Sequence, residues 1–197
     1  MKPEIEAKFL DVDFDTVRAK LRELGAECVQ PMRLMRRKNF EHAEGRSEKP
    51  RGWIRVRDEG DKVTLAYKQL DNRGIDGTKE VSVEVSDFNA TVSLLNAAGL
   101  KKTSYQETHR ESWVLNGVQI ELDEWPWVHP FVEIEAPDAD ALYAVAEQLG
   151  FDKSRALHGS VEVMYIREYK VTEEEVDGWP EIVFSPTPPW LAAKRRK

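Results

Sequence analysis

Residues 4–9 read Glu4-Ile5-Glu6-Ala7-Lys8-Phe9. Successive side chains of a strand point to opposite faces, so Glu4, Glu6 and Lys8 share one face and Ile5, Ala7 and Phe9 share the other. The pattern recurs along the chain. Residues 53–57 (WIRVR) set Arg55 and Arg57 against Ile54 and Val56, and residues 63–68 (VTLAYK) set Thr64, Ala66 and Lys68 against Val63, Leu65 and Tyr67. Residues 80–85 (EVSVEV) place Glu80, Ser82 and Glu84 opposite three valines. A strand near 107–115 carries Arg110, and one over 117–123 sets Gln119, Glu121 and Asp123 against Val118, Ile120 and Leu122. Residues 131–136 (FVEIEA) place Glu133 and Glu135 opposite Val132 and Ile134.

Partners two apart on a strand face lie about 6.6 Å from each other. Same-sign pairs at that spacing (Glu4/Glu6, Arg55/Arg57, Glu80/Glu84, Glu121/Asp123, Glu133/Glu135) repel unless water screens them or a counter-ion lies between them. An open sheet with a solvated outer face is one way to place them, but such faces interleave opposite charges for cross-strand pairing. A sheet closed into a barrel is the other. Its apolar faces then point outward under helices, and its charged faces line a hydrated interior. That interior would hold eight carboxylates (Glu4, Glu6, Glu80, Glu84, Glu121, Asp123, Glu133, Glu135) and five cations (Lys8, Arg55, Arg57, Lys68, Arg110). Buried unpaired ions cost several kcal/mol each, so the arrangement calls for a highly charged ligand. Guanidinium forks and lysines match phosphate oxygens. Clustered carboxylates match Mg2+ or Mn2+. Together the two sets point to a metal–polyphosphate complex.

Three helices are expected between the strands. Asp13 caps one with Phe14, Val17, Leu21 and Leu24 on its stripe and Gly25 at its end. Ser86 or Asp87 caps a second with Phe88, Val92 and Leu95, ending at Gly99. Asp138 caps a third with Leu142, Val145 and Leu149, ending at Gly150. The fold class is α+β. Residues 41–51 read as a mobile polar loop, residues 160–169 as a last strand or helix, and the chain beyond about 171 as an irregular or partly docked tail.

With 197 residues, 41% hydrophobic and 33% charged, the chain suits one globular domain with an appendage. A formal net charge of −7 argues against general binding to nucleic acid or to an anionic membrane. Cys28 is the single cysteine, which excludes an internal disulfide and leaves it a small packed residue. No apolar signal region opens the sequence, and no apolar run approaches the roughly 20 residues that span a bilayer. A soluble cytoplasmic protein is expected.

The stretch Glu4-Ile5-Glu6-Ala7-Lys8 resembles the ExExK signature of the CYTH superfamily, the triphosphate tunnel metalloenzymes. Arg55, Arg57, Lys68, the Glu80–Glu84 strand, Arg110, Asp123, Glu133 and Glu135 follow it in order. The resemblance covers about residues 3–168. It implies an eight-stranded antiparallel tunnel with helices outside over residues 1–170, followed by the tail 171–197. It implies that Glu4, Glu6 and Lys8 form the catalytic signature. Lys8, Arg55, Arg57, Lys68 and Arg110 would grip phosphates. Glu4, Glu6, Asp123, Glu133 and Glu135 would hold Mg2+ or Mn2+. Glu80, Glu84 and Glu121 are further tunnel residues without an assigned role.

The superfamily includes inorganic and thiamine triphosphatases and class IV adenylyl cyclases. The partner expected is therefore a small-molecule triphosphate, with a homodimer left open. Metal-dependent triphosphate hydrolysis is the leading expectation. Cyclic AMP formation from ATP and binding without turnover are the alternatives. His42, His109, His129 and His158 lack metal-ligand spacing, and no Gly-rich phosphate loop is present. Trp125 and Trp127 flank Pro126 and read as a loop wedged into the core rather than as a platform for a ring.

Overall fold

The computed structural model describes residues 1–42 and 51–196. Most of the loop expected at 41–51, and Lys197, lie outside the described residues. Eight strands close into an antiparallel barrel: β1 (Lys2–Phe9), β2 (Glu27–His42), β3 (Arg51–Asp58), β4 (Val63–Leu70), β5 (Thr78–Val85), β6 (Leu100–Leu115), β7 (Val118–Glu124) and β8 (Phe131–Ala136). Around the barrel they run β2-β3-β4-β5-β1-β8-β7-β6, and β6 pairs back onto β2.

The closing seam joins the two longest strands, each of 16 residues. Its register shifts between Cys28 and Gln30, between Gln30 and Arg33, and between Asn39 and Phe40. Such bulges bend a long strand enough to close a sheet. Asn116 and Gly117, at φ 52° and 81°, supply the two left-handed residues of the tight turn between β6 and β7.

The three expected helices form where their caps place them. They are α1 (Phe14–Glu23), α2 (Phe88–Ala97) and α3 (Ala139–Gln148). The Asp13, Asp87 and Asp138 carboxylates each accept a hydrogen bond from a first-turn backbone N–H. Gly25, at φ 77°, ends the α1 turn. Residues expected to be strand or helix resolve as helix α4 (Glu162–Glu168). Beyond 171, where an irregular or partly docked tail is expected, two short helices and a two-residue strand follow: α5 (Glu173–Asp177), β9 (Glu181–Ile182) and α6 (Pro189–Ala192). β9 adds in parallel to Tyr105 and Gln106 of β6.

The apolar core lies outside the barrel wall. Val17 and Leu21 of α1 and Leu142, Val145 and Ala146 of α3 cover Ala7, Phe9, Ile120, Leu122, Val132 and Ile134. Phe88, Val92 and Leu95 of α2 cover Phe40 and Val56. Each fully buried aliphatic or aromatic side chain contributes roughly 2 kcal/mol, which offsets the cost of a charged interior. Two expectations are corrected here. Val81 and Val83 on β5 have no helix over them and stand 51% and 56% exposed. Cys28, near the start of β2, is exposed rather than packed.

A third cluster unites the end of β7, the start of β8 and the C-terminal elements: Trp125, Phe131, Met164, Tyr165, Tyr169, Val171, Val176, Trp179, Ile182 and Leu191. Trp179 sits at its centre, edge-on to Trp127, Tyr165 and Trp190. Tyr165 and Tyr169 donate their hydroxyls to the Pro126 and Trp127 carbonyls. The proline-rich segment docks because its few apolar residues are spaced to meet this wall. Replacing Trp179 by Ala is expected to destabilise the fold by about 3 kcal/mol in urea titration. An unchanged midpoint would contradict a packed C-terminal segment.

Candidate active site

The inward faces enclose a cavity of about 750 Å3. Its wall divides by charge. β2, β3 and β4 contribute Arg33, Arg37, Arg55, Arg57 and Lys68; β1, β7 and β8 contribute Glu4, Glu6, Glu121, Glu133 and Glu135. Strand register explains the division. Arg37 lies opposite Arg57 across β2–β3, and Glu6 opposite Glu135 across β1–β8. Like charges therefore stack side by side within each half of the barrel.

Lysines and arginines compensate part of this crowding, Lys8 from within the acidic half and Lys68, Arg55 and Arg110 from neighbouring strands. Lys8, only 3% exposed, sits 2.9 Å from Glu133 and 3.3 Å from Glu6. Burial opposes its charge, but Glu133 and Glu6 outweigh burial and raise its pKa. Glu133 is likewise held well below the usual carboxylate range: burial opposes ionisation, and Lys8 and Arg110 overcome it. Lys68 bridges Glu4 and Glu80 at 2.9 and 3.0 Å. Arg55 reaches Glu80 at 3.3 Å. Burial and neighbouring Arg57 nevertheless bring the Arg55 pKa down to about 10.

Of the residues singled out in the sequence, the cavity brings together Glu4, Glu6, Lys8, Arg55, Arg57, Lys68, Glu80, Arg110, Glu121, Glu133 and Glu135. Glu84 does not join them. It stands exposed near Asp58 and Lys62, where β5 runs past the end of the cavity, and Glu59 lies beside its register partner Thr64. The Glu59 carboxylate accepts from Thr64 Oγ1 at 3.0 Å and from Arg57 Nη2 at 2.7 Å. Asp123 is fully buried behind Arg110 and does not line the cavity. Arg110 donates Nε and Nη2 to it at 2.6 and 2.5 Å. Such a fork fixes the guanidinium plane. Trp125 wedges into the core as expected, yet its ring also faces the cavity.

Sequence reading missed Arg33, Arg37 and Glu59. Arg33 donates to the carbonyls of Glu59 and Arg110. The stretch Arg33-Leu34-Met35-Arg36-Arg37-Lys38 carries charge on both faces, so alternation does not single out its inner residues. Glu59 lies in the β3–β4 turn, beyond any alternating run.

Besides Glu162, which is 7% exposed on the cavity wall and has no ion pair, two charges there with shifted pKa values have no partner of opposite sign within ion-pair distance among the described residues. Glu135 is one: burial, then Glu4, Glu133 and Glu6, push its pKa up to about 7. Glu4 is also raised, chiefly by burial and against the pull of Lys68. Arg37 is the other: burial, then Arg57, Arg55 and Arg110, hold its pKa well below the ordinary value. One wall thus lacks a cation and the other an anion. No group of three or more His, Cys, Asp or Glu side chains is preassembled for a metal among the described residues, since Lys8 and Lys68 lie between the carboxylates. The donor set itself, all carboxylate oxygen on adjacent strands with one member lacking a cation, fits a hard divalent ion.

No helix of the described residues is long and apolar enough to cross a membrane. The CYTH domain family profile matches residues 2–162. No curated protein matches the chain. Among solved structures, the PH1012 protein of Pyrococcus horikoshii OT3 is 25% identical, with 82% of this chain and 98% of that chain covered and a TM-score of 0.67. An adenylate cyclase candidate from Vibrio parahaemolyticus is 14% identical, covers 83% and 97%, and has a TM-score of 0.69. An adenylyl cyclase candidate from Hippeastrum, HpAC1, described as having a dominant triphosphatase activity, is 14% identical, covers 90% and 95%, and has a TM-score of 0.51. The last two show likeness of fold. Since the profile takes in the whole barrel and every cavity strand, the chain belongs to the CYTH domain family.

Proposed function

We propose that this protein hydrolyses a triphosphate, inorganic or attached to an organic group, inside the barrel with the help of Mg2+ or Mn2+. The observation that carries this reading is the division of one enclosed cavity into a wall of guanidiniums and a wall of carboxylates, each with an unmatched buried charge. A polyphosphate alone would be repelled by the acidic wall, and a metal ion alone by the basic one. A metal–polyphosphate complex satisfies both. The activity attributed to the Hippeastrum structure is consistent with it.

Arg55, Arg57, Lys68 and Arg110 bind the phosphate oxygens. Asp123 orients Arg110, and Glu59 with Thr64 orients Arg57. Preset donors stabilise spreading charge without reorganising during the reaction. Glu4, Glu6, Glu133 and Glu135 would hold the divalent ion, which would supply neutralisation of phosphate charge. Lys8 holds Glu6 and Glu133 in place and stays protonated throughout. Trp125 and Phe131 keep bulk water from the basic wall. Water attacks the terminal phosphorus, the anhydride P–O bond breaks, and orthophosphate leaves with a proton released. Residues 1–170 form the working domain in this reading, with the tail 171–197 as its appendage.

Pure protein incubated with Mg2+ or Mn2+ and tripolyphosphate, ATP or thiamine triphosphate is expected to release orthophosphate from at least one. Release from none contradicts hydrolysis, and cyclic AMP with pyrophosphate from ATP would establish a cyclase instead. Glu133→Ala and Glu135→Ala should each abolish metal-dependent turnover in a folded protein. Full activity in both refutes the metal assignment. Arg55→Ala should raise KM about tenfold or more, as loss of a charge-assisted contact does. Unchanged KM and kcat would remove Arg55 from the phosphate site.

The raised Glu135 pKa also sets a stability profile. Below its ordinary value of 4.5 the carboxyl is protonated in folded and unfolded chains alike. Between 4.5 and about 7 the unfolded chain ionises while the folded one keeps its proton, so this group lowers stability as pH rises and stops doing so above about 7. Metal-free Glu135→Gln should therefore melt a few degrees above wild type at pH 8 and close to it at pH 5, at roughly 2–4 °C per kcal/mol for a chain of this size. Equal melting temperatures at both pH values would contradict an uncompensated Glu135.

A further inference from the structure

Arg37 is 7% exposed and faces the cavity from the middle of β2. Its Nη2 donates to Thr108 Oγ1 at 2.9 Å, and its guanidinium carbon lies 4.6 Å from the centre of the Trp125 ring. Its Nε is buried without a partner, and no carboxylate within ion-pair distance balances its charge among the described residues. Its neighbours along the β2–β6 wall are neutral, while Arg57 is its register partner on β3 and the cavity wall also carries Glu162 and Asp177. Asn39 lies two residues along β2, Gln106 is its register partner on β6, and Ser104 lies next to Gln106 on the same face. Ser104 Oγ accepts from Asn39 Nδ2 at 3.2 Å and from Gln106 Nε2 at 3.1 Å, which leaves its own hydroxyl proton to donate into the cavity. Trp125 belongs to the apolar cluster that brings Phe131, Val176 and Ile182 to the cavity wall.

A buried, unpaired guanidinium is strongly unfavourable unless something fills its place. Here Arg55 and Arg57 add to the local positive charge, and each already has a carboxylate partner. The missing partner is an anion, small enough for a corner walled by Trp125 and rich enough in acceptor oxygens for Nε and the Ser104 hydroxyl. A terminal phosphoryl group meets this demand better than an internal one. Its second ionisation falls near pH 6, so it carries close to two charges at neutral pH and offers three oxygens. An internal phosphoryl carries one charge and has bridging oxygens on both sides.

Resting on the triphosphate reading above, we propose that Arg37, with Ser104 and the aromatic wall at Trp125, forms the subsite that selects the free, non-esterified terminal phosphoryl group of the substrate. Substrates capped at both ends are excluded by the dianion they lack and by the apolar wall behind the site. Arg37 then determines specificity, apart from the residues that hold the metal.

The test is calorimetric binding with Ca2+ supplied as the divalent ion, under conditions where orthophosphate release is checked to be absent. The probes are tripolyphosphate and ATP, which have a free end, and diadenosine triphosphate, which has none. Wild type is expected to bind the first two about tenfold or more tightly than the third. Arg37→Gln should remove most of that difference by weakening the free-ended ligands alone, and Arg37→Lys should restore part of it. The ligand-free Arg37→Gln protein should melt at or above the wild-type temperature, since an unpaired buried charge is gone. If Gln fails to fold, Arg37→Lys alone carries the comparison, with a reduced preference as the supporting result. Equal loss for all three ligands, or no loss for any, overturns the subsite. Failure of wild type to bind any of the three overturns the triphosphate reading along with it.

Discussion

Like charges cannot be held side by side in a barrel interior without something between them, and the rest of this structure follows from that constraint. The pleat of each strand places ionised residues at 6–7 Å intervals along one face. Closure of the sheet turns those faces toward each other. Within β1 and β8 the carboxylates are separated by Lys8, and between β1 and β5 by Lys68. Where the interleaving stops, at Glu135 and at Arg37, the interior is left short of one cation and one anion. The apolar clusters outside the wall offset the cost of holding this interior together, which is why helices α1, α2 and α3 lie where they do.

The acidic half of the site was legible in the sequence because its strands are short and strictly alternating. In Glu4-Ile5-Glu6-Ala7-Lys8 and in Glu133-Ile134-Glu135 a single register is compatible with burying the apolar residues, so the direction of every charged side chain follows. β2 was opaque for the opposite reason. Arg36 and Lys38 face outward on either side of Arg37, and Arg36 covers the Phe88 ring with its guanidinium. A long basic side chain can lie over an apolar helix as readily as it can line a cavity, so charge on both faces erases the period. Glu84 shows the reverse failure. Its alternation is intact, but β5 runs past the end of the cavity, and a turn residue, Glu59, supplies the inner carboxylate.

The C-terminal segment illustrates what local pattern does not carry. Its prolines and charges read as irregular chain, yet Val176, Trp179, Ile182 and Leu191 meet a wall built from Trp125, Phe131 and Tyr165, residues distant in sequence. The wall is more than support. Through Trp125 it contacts Arg37, and through Val176 and Ile182 it lines the cavity. It lowers the local dielectric around the guanidiniums, which strengthens their attraction for a phosphate and makes their emptiness more costly. In the proposed reading stability and ligand affinity are coupled: the charges that destabilise the free protein are those that would bind.

The central claim is that the two walls are built for one composite ligand, with the metal on the carboxylate side and the phosphates on the arginine side. Crystals grown with Mn2+ and tripolyphosphate, examined by anomalous scattering, test it most directly. The account predicts a manganese peak among Glu4, Glu6, Glu133 and Glu135, with phosphate density running from it toward Arg55, Arg57 and Arg37. Manganese bound only on the outer surface, or phosphate held away from the arginines of β2 and β3, would contradict it.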